Sequence, residues 1–172
     1  MPAFAELIRT VPDFPKPGVL FRDVTPLLAD ARGFAECIAA LAAPWRDAGV
    51  QAVCGIEARG FIFGAALAQA LAAGFVPLRK PGKLPPPVLA VDYRLEYGSD
   101  RIEARSDALK PGERVLLADD VLATGGTLAA AQALVARFGA ELVGASVVIE
   151  LAALRGRERW TNGQPLHALL RY

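Results

Sequence analysis

Four short stretches of the chain are almost wholly apolar: Ala52 to Ile56, Phe75 to Leu78, Val115 to Ala118 and Ser146 to Ile149. Apolar runs that are continuous rather than alternating predict strands buried on both faces, as in a parallel sheet. Helical spacing lies between them. Phe34, Ile38, Leu41 and Trp45 form one stripe, with Pro44 placed to kink or end it. Leu128, Ala131, Val135 and Phe138 form another, closed by Gly139 as a C-terminal cap. Strand and helix alternate, so the expected class is α/β, a mostly parallel central sheet flanked by helices.

Two segments break this rhythm. From Gly60 to Leu78 there is no charge, and the length is close to that of a membrane span. The run is rich in Ala and Gly, holds Gln69 and Pro77, and is interrupted at Gly74, so it reads as a buried helix entering a buried strand. Further on, Pro81 to Pro87 is a loop by composition. VLAVDYRLEYG and DRIEARSDAL follow, two partly alternating runs around Gly98-Ser99, and predict an antiparallel hairpin inserted into the body. Insertions of this kind often cover active sites.

Composition narrows the function. The chain has 172 residues, 53% of them apolar, enough for a single domain with a core of its own, at most with an appendage. Lys and Arg number 19 against 18 Asp and Glu, a formal net charge of +1. A protein that coats nucleic acid is usually more basic, so anion binding here must be local. Cys37 and Cys54 lie in apolar surroundings and read as reduced core thiols, which suits the cytosol. With one histidine, His167, neither a zinc site of ordinary spacing nor a histidine triad is supported, and no GxSxG elbow is present. MPAFAELIRT shows no export signal.

The chemistry concentrates in Arg114 to Ala129, RVLLADDVLATGGTLA. A buried strand is expected to end in two adjacent carboxylates, Asp119 and Asp120. A loop with Ala123, Thr124, Gly125, Gly126 and Thr127 then enters a helix. Ligands of open α/β sheets bind beyond the carboxyl ends of strands. The glycines let N–H groups crowd one point, the threonines add hydroxyls, and the helix adds its dipole. That is a phosphate cradle without an obligatory lysine. The carboxylates repel phosphate and must face something else, vicinal ribose hydroxyls or a hydrated divalent cation. Walker A and GxGxxG patterns are both absent.

DDVLATGGT after an apolar strand resembles the PRPP-binding signature of the type I phosphoribosyltransferases, and its ATGGT form resembles the adenine-using branch. Five further blocks match that branch in order: FPKPGVLFRDVTPLL at 14–28, GIEARGFIFGAALA at 55–68, VPLRKPGKLP at 76–85, YRLEYGSD at 93–100 and DALKPGERVLLADD at 107–120. The likeness runs from Phe14 to about Ile149 and is loose in LAALRGRERWTNGQPLHALLRY.

The resemblance implies one phosphoribosyltransferase domain over 1–172, with the hairpin as a flap and a small N-terminal hood. It implies purine salvage by pentosyl transfer: adenine and PRPP give AMP and pyrophosphate, with Mg2+ held mainly by PRPP and not directly by the protein. It also implies a cytoplasmic homodimer with no nucleic-acid or membrane partner. The carried-over roles are the 5′-phosphate on Ala123 to Thr127 and the ribose diol on Asp119 and Asp120. Pyrophosphate falls to Glu57, Ala58, Arg59, Arg79, Lys80 and Lys83, with a non-proline cis peptide between Glu57 and Ala58. The adenine edge goes to the backbone of Leu20 and Arg22 with Phe21 beside it. Glu96 and Arg59 are the catalytic candidates, and Tyr97 would help close the flap.

Two other readings compete. Relatives that use 6-oxopurines (hypoxanthine, guanine, xanthine) usually carry DTG in place of ATGG and lack LEYG. A non-catalytic PRPP-binding regulator wants a DNA-binding module, and thirteen residues before the first matched block leave no room for a helix-turn-helix.

Overall fold

A computed structural model describes residues 2–94 and 99–172. The fold divides into two compact units, residues 1–40 and residues 41–172.

In the N-terminal unit, a 3-10 turn (Ala3–Leu7) precedes strands β1 (Arg9–Pro12) and β2 (Leu20–Asp23), which pair antiparallel. Helix α1 (Thr25–Ala29) follows, then α2 (Ala31–Ala42), whose end passes into the second unit. Gly18 N–H donates to Asp13 Oδ1 at 2.7 Å across the β1–β2 connection, and Arg22 Nη1 donates to Thr10 Oγ1. The apolar pattern does not announce this hairpin, because RTVP and LFRD are too short and too exposed to show one.

The second unit is the α/β body. Its elements are β3 (Ala52–Ile56), α3 (Gly60–Ala70), β4 (Gly74–Leu78), β5 (Val88–Arg94), β6 (Ser99–Arg105), β7 (Arg114–Leu122), α4 (Gly126–Arg137), β8 (Glu141–Glu150) and β9 (Leu166–Arg171). Five strands form one parallel sheet in the order β4-β3-β7-β8-β9. All five residues of β3 are buried, as its unbroken apolar run requires. Pro44 closes the α2 stripe in a 3-10 turn (Ala43–Trp45), and Gly139, at φ +68°, follows the end of α4. The uncharged stretch from Gly60 is α3 leading into β4. Among the described residues no helix is long and apolar enough to cross a membrane.

β5 and β6 form the expected antiparallel hairpin, with Val91 opposite Ile102. The hairpin is tied to the sheet through Arg79, whose N–H and C=O exchange bonds of 2.8 and 2.7 Å with Glu103. Its inner side packs on the core, where Ile102 and Ala104 are buried and Leu89, Val91 and Tyr93 lie against them.

β7 differs from the sequence reading. The strand does not end at the carboxylates but runs through them to Leu122. Pairing explains the difference. On the β3 side the ladder stops at Gly55 opposite Ala118. On the β8 side it continues to Leu122 opposite Glu150, because β8 supplies ten residues of partner backbone. The acids therefore stand on a one-sided extension of the strand.

Candidate active site

That extension opens the β3 side of the sheet where Asp119 and Asp120 emerge. Asp119 lines a cavity of about 70 Å3 together with Ala123, Thr124, Gly125 and Thr127. Its Oδ1 accepts the N–H of Asp120 at 2.9 Å. The first residue of α3 sits against it: a Cβ on Gly60 would lie 2.6 Å from Asp119 Oδ1 and 3.2 Å from its Cα, so only glycine allows this approach. Burial and the neighbouring charge of Asp120 push the Asp119 carboxyl well above the ordinary carboxylate range. Asp120 is buried and faces Arg59, whose Nε stands 2.7 Å from its Oδ2. The side chains assigned to ribose and to pyrophosphate are thus brought into one ion pair. Gly125 holds φ +80°, and α4 begins at Gly126 with its free N–H groups at the loop.

The Glu57–Ala58–Arg59 turn joins β3 to α3, and the Glu57–Ala58 peptide is cis. The Glu57 carboxylate is engaged by the basic segment that follows β4. Its Oε2 accepts Arg79 Nε at 3.1 Å and Lys80 N–H at 3.0 Å. Partial burial would raise its pKa, but the Lys80 N–H, the Arg79 bond and the charges of Arg79 and Lys83 outweigh that and hold it low. Glu57 therefore organises the basic segment. Arg79 also donates to Lys83 C=O at 3.3 Å and lies 5.7 Å from the centroid of Phe61. Lys83 and Ala58 are exposed.

Lys80 connects this segment to the hairpin. Its Nζ donates to Tyr93 Oη at 2.9 Å, pairs with Asp100 Oδ2, and stands 5.5 Å from the Tyr93 ring centroid. Tyr93 Oη donates to Asp100 Oδ2 at 3.1 Å and receives a long 3.4 Å contact from Thr127 Oγ1. Burial works against the charges of Lys80 and Asp100. Their mutual bond prevails, raising the first pKa and lowering the second. Tyr93 and Asp100 are functional candidates that the sequence reading does not single out. The signal available for Tyr93 is its place in the alternating run of β5, two residues after Val91. Glu96 and Tyr97 lie outside the described residues.

Leu20, Phe21 and Arg22 form most of β2 in the N-terminal unit. Leu20 is 56% exposed, and Phe21 meets Phe14 edge to face with centroids 5.1 Å apart.

Residues 27–163 match the sequence profile described as "Phosphoribosyl transferase domain". The chain is 59% identical over 165 residues to adenine phosphoribosyltransferase of Xanthomonas campestris pv. campestris, covering 96% of this chain and 89% of that protein. It is 58% identical over 165 residues to the protein of the same name from Synechococcus sp., covering 95% and 94%. Among solved structures, that of adenine phosphoribosyltransferase from Rhodothermus marinus superposes with a TM-score of 0.94 at 50% identity, covering 98% of this chain and 96% of that one. The Saccharomyces cerevisiae enzyme, complexed with an imino-altritol bisphosphate and adenine, gives 0.91 at 37% identity over 99% and 100%.

Proposed function

The chain belongs to the phosphoribosyltransferase family, and on that premise we propose that it transfers the 5-phosphoribosyl group of PRPP to adenine, giving AMP and pyrophosphate. The carrying observation is the end of β7: Asp119 and a glycine-threonine turn at a helix N-terminus around one small cavity, with the adjacent Asp120 paired to Arg59. A sugar phosphate needs both halves of this arrangement, N–H donors for its phosphate and acceptors for its diol.

In the proposed reaction the C1–pyrophosphate bond breaks early, leaving an oxocarbenium-like sugar, and N9 of adenine attacks. The protein's work is positioning and charge stabilisation. Ala123 to Thr127 hold the 5′-phosphate, and Asp119 with Asp120 accept from the ribose hydroxyls. Arg59, Arg79, Lys80 and Lys83 place cations around the leaving pyrophosphate, with Glu57 fixing Arg79 and the Lys80 backbone. Leu20 and Arg22 read the adenine edge through their backbone, with Phe21 against the base. Glu96 bonds purine N7 as N9 loses its proton.

Among the described residues no three His, Cys, Asp or Glu converge to cage a metal. Asp119 and Asp120 are given to the ribose diol, and Asp120 also faces Arg59, so an Mg2+ ion would be held mainly on oxygens of PRPP and not directly by the protein. When bound it would neutralise charge on the pyrophosphate. A cytoplasmic homodimer completes the proposal, and light scattering of the purified protein tests its mass.

The deciding experiment is a spectrophotometric assay with PRPP, Mg2+ and each purine base in turn. Adenine should be consumed and hypoxanthine and guanine should not, since a carbonyl facing N6–H2 would meet O6 in those bases. Comparable turnover of hypoxanthine overturns the assignment. Glu96→Gln should lower kcat by about a hundredfold or more while PRPP affinity holds; an unchanged kcat removes Glu96 from the chemistry.

A further inference from the structure

The chain that follows β8 stands directly behind the phosphate turn. After Glu150 it passes through two short 3-10 turns, Ala152–Leu154 and Gly156–Arg159, with Arg155 between them at φ +53°. Gly156 is buried there, and its backbone lies on that of the turn. A Cβ built on Gly156 would collide with the carbonyl oxygen of Ala123 and come within 2.8 Å of Gly125 N. Conversely, a Cβ on Gly125 would collide with the Gly156 carbonyl oxygen and reach 3.1 Å from its Cα. Two main chains meet with no side chain between them.

Gly156 is itself held from behind. Arg157 Nε donates to both carboxylate oxygens of Glu150 at 3.1 Å, and its Nη2 donates to Oε2 at 2.6 Å. Its Nη1 donates to Leu166 C=O on β9 at 2.8 Å. Glu150 is 3% exposed and ends the sheet strand paired with β7, opposite Leu122. The Leu151 N–H returns to Leu122 C=O at 2.9 Å. A continuous mechanical path therefore runs from the sheet through Glu150 and Arg157 to Gly156, and from there to Ala123 and Gly125.

We infer that Gly156 is a positioning residue for PRPP, the rigid wall that holds the phosphate turn in its binding shape, with the Glu150–Arg157 pair as its clamp. The inference rests on the reading of that turn as the 5′-phosphate cradle. A turn built on adjacent glycines gains its N–H geometry at a large entropic cost unless something else fixes it. Donors fixed in advance bind more tightly than donors that must be ordered by the ligand. The C-terminal segment, where the sequence likeness is loose, supplies that fixing surface.

Gly156 lacks the positive φ that would make any side chain strained, so Gly156→Ala tests the contact alone. AMP titration calorimetry and the separate KM values for PRPP and adenine give the readout, alongside thermal melts. Gly156→Ala should weaken AMP binding and raise the PRPP KM by about tenfold, leaving the adenine KM within about twofold. Arg157→Gln, which adds no atom to the contact, should shift the same two constants in the same sense by about threefold. Arg157→Lys should recover part of that loss. If Gly156→Ala does not fold, the two Arg157 variants carry the test. AMP affinity equal to that of the unaltered protein in the folded variants overturns the inference. So does a parallel rise in both KM values, which would mark general loosening. If the unaltered protein binds no AMP, the cradle reading fails, and the inference fails with it.

Discussion

Asp119 is held in a setting that opposes its own charge. Burial and the charge of Asp120 drive its carboxyl upward, and the Asp120 N–H and the charge of Arg59 only partly offset them. A folded protein keeps a proton on such a group at pH values where the unfolded chain has released it. Its contribution to stability is therefore present at low pH and is lost as pH rises from about 4 through the raised value. Asp119→Asn removes that slope and keeps an oxygen for the Asp120 N–H. The variant should melt higher at pH 7, by about 2–4 °C per kcal/mol relieved, with the gap widening from acid to neutral pH. At the same time kcat/KM for PRPP should fall by about tenfold or more, because the amide puts an NH2 donor in place of one of the two oxygens that face the diol. An Asp119→Asn protein no more stable at pH 7 than at pH 4, relative to the parent, would contradict this account. Asp119, Asp120 and the turn after them are legible in the sequence because they are contiguous: strand, acids, glycines and helix follow in one line. Tyr93 and Asp100 are not, because their meaning comes from Lys80, which is 13 and 20 residues away.

At the level of elements, the hairpin is fastened through its inner face. β5 and β6 pack on the core through alternate residues, while Tyr93 joins Lys80 of the segment after β4 to Thr127 of α4. Arg137 at the far end of α4 donates to Ala90 C=O, so β5 is held along the helix. Tyr93→Phe leaves the Lys80–Asp100 pair in place and removes one hydroxyl that bridges hairpin, basic segment and turn. The loss of about 1 kcal/mol expected for such a bond should appear as a rise of about fivefold in the PRPP KM. The melting temperature should fall by about 2–4 °C. An unchanged KM would mean that the hydroxyl ties down the hairpin without affecting the turn. The apolar pattern locates four of the five parallel strands and both long body helices, since continuous burial writes continuous apolar runs. Their true ends come from pairing: β7 and β8 extend one another past their apolar centres, and no single stretch of sequence carries that information. β9 is hidden for a related reason. As an edge strand it is only half buried, and LHALLR shows no unbroken run.

The molecule as a whole carries nearly balanced charge, so its response to acid is governed by particular pairs and not by net repulsion. Glu57, Asp100 and Glu150 are each bound to a cation and each is held below its ordinary value. For Glu150 the Arg157 bond lowers the pKa first, burial opposes it, and the charges of Arg157 and Arg171 add to the lowering. A carboxylate of this kind contributes stability above its unfolded pKa of about 4. That contribution disappears as pH falls through the lower folded value. All three act in the same direction and against Asp119, so melting temperature should fall steeply below about pH 4. Glu150→Gln isolates one of them. At pH 7 the variant should lose about 1.5–3 kcal/mol, the range for hydrogen bonds to charged groups, and no more, because Arg157 is partly open to solvent and water can take over some of its bonds. The corresponding drop is about 2–4 °C per kcal/mol. As pH is lowered, the parent protonates Glu150 and comes to resemble the variant, so the two melting curves should converge over the acid range in which both still fold. A difference that stays constant down to the acid transition would show that the amide in Glu150→Gln fails for reasons of shape, and that the charge of Glu150 contributes nothing to holding the C-terminal segment against the sheet.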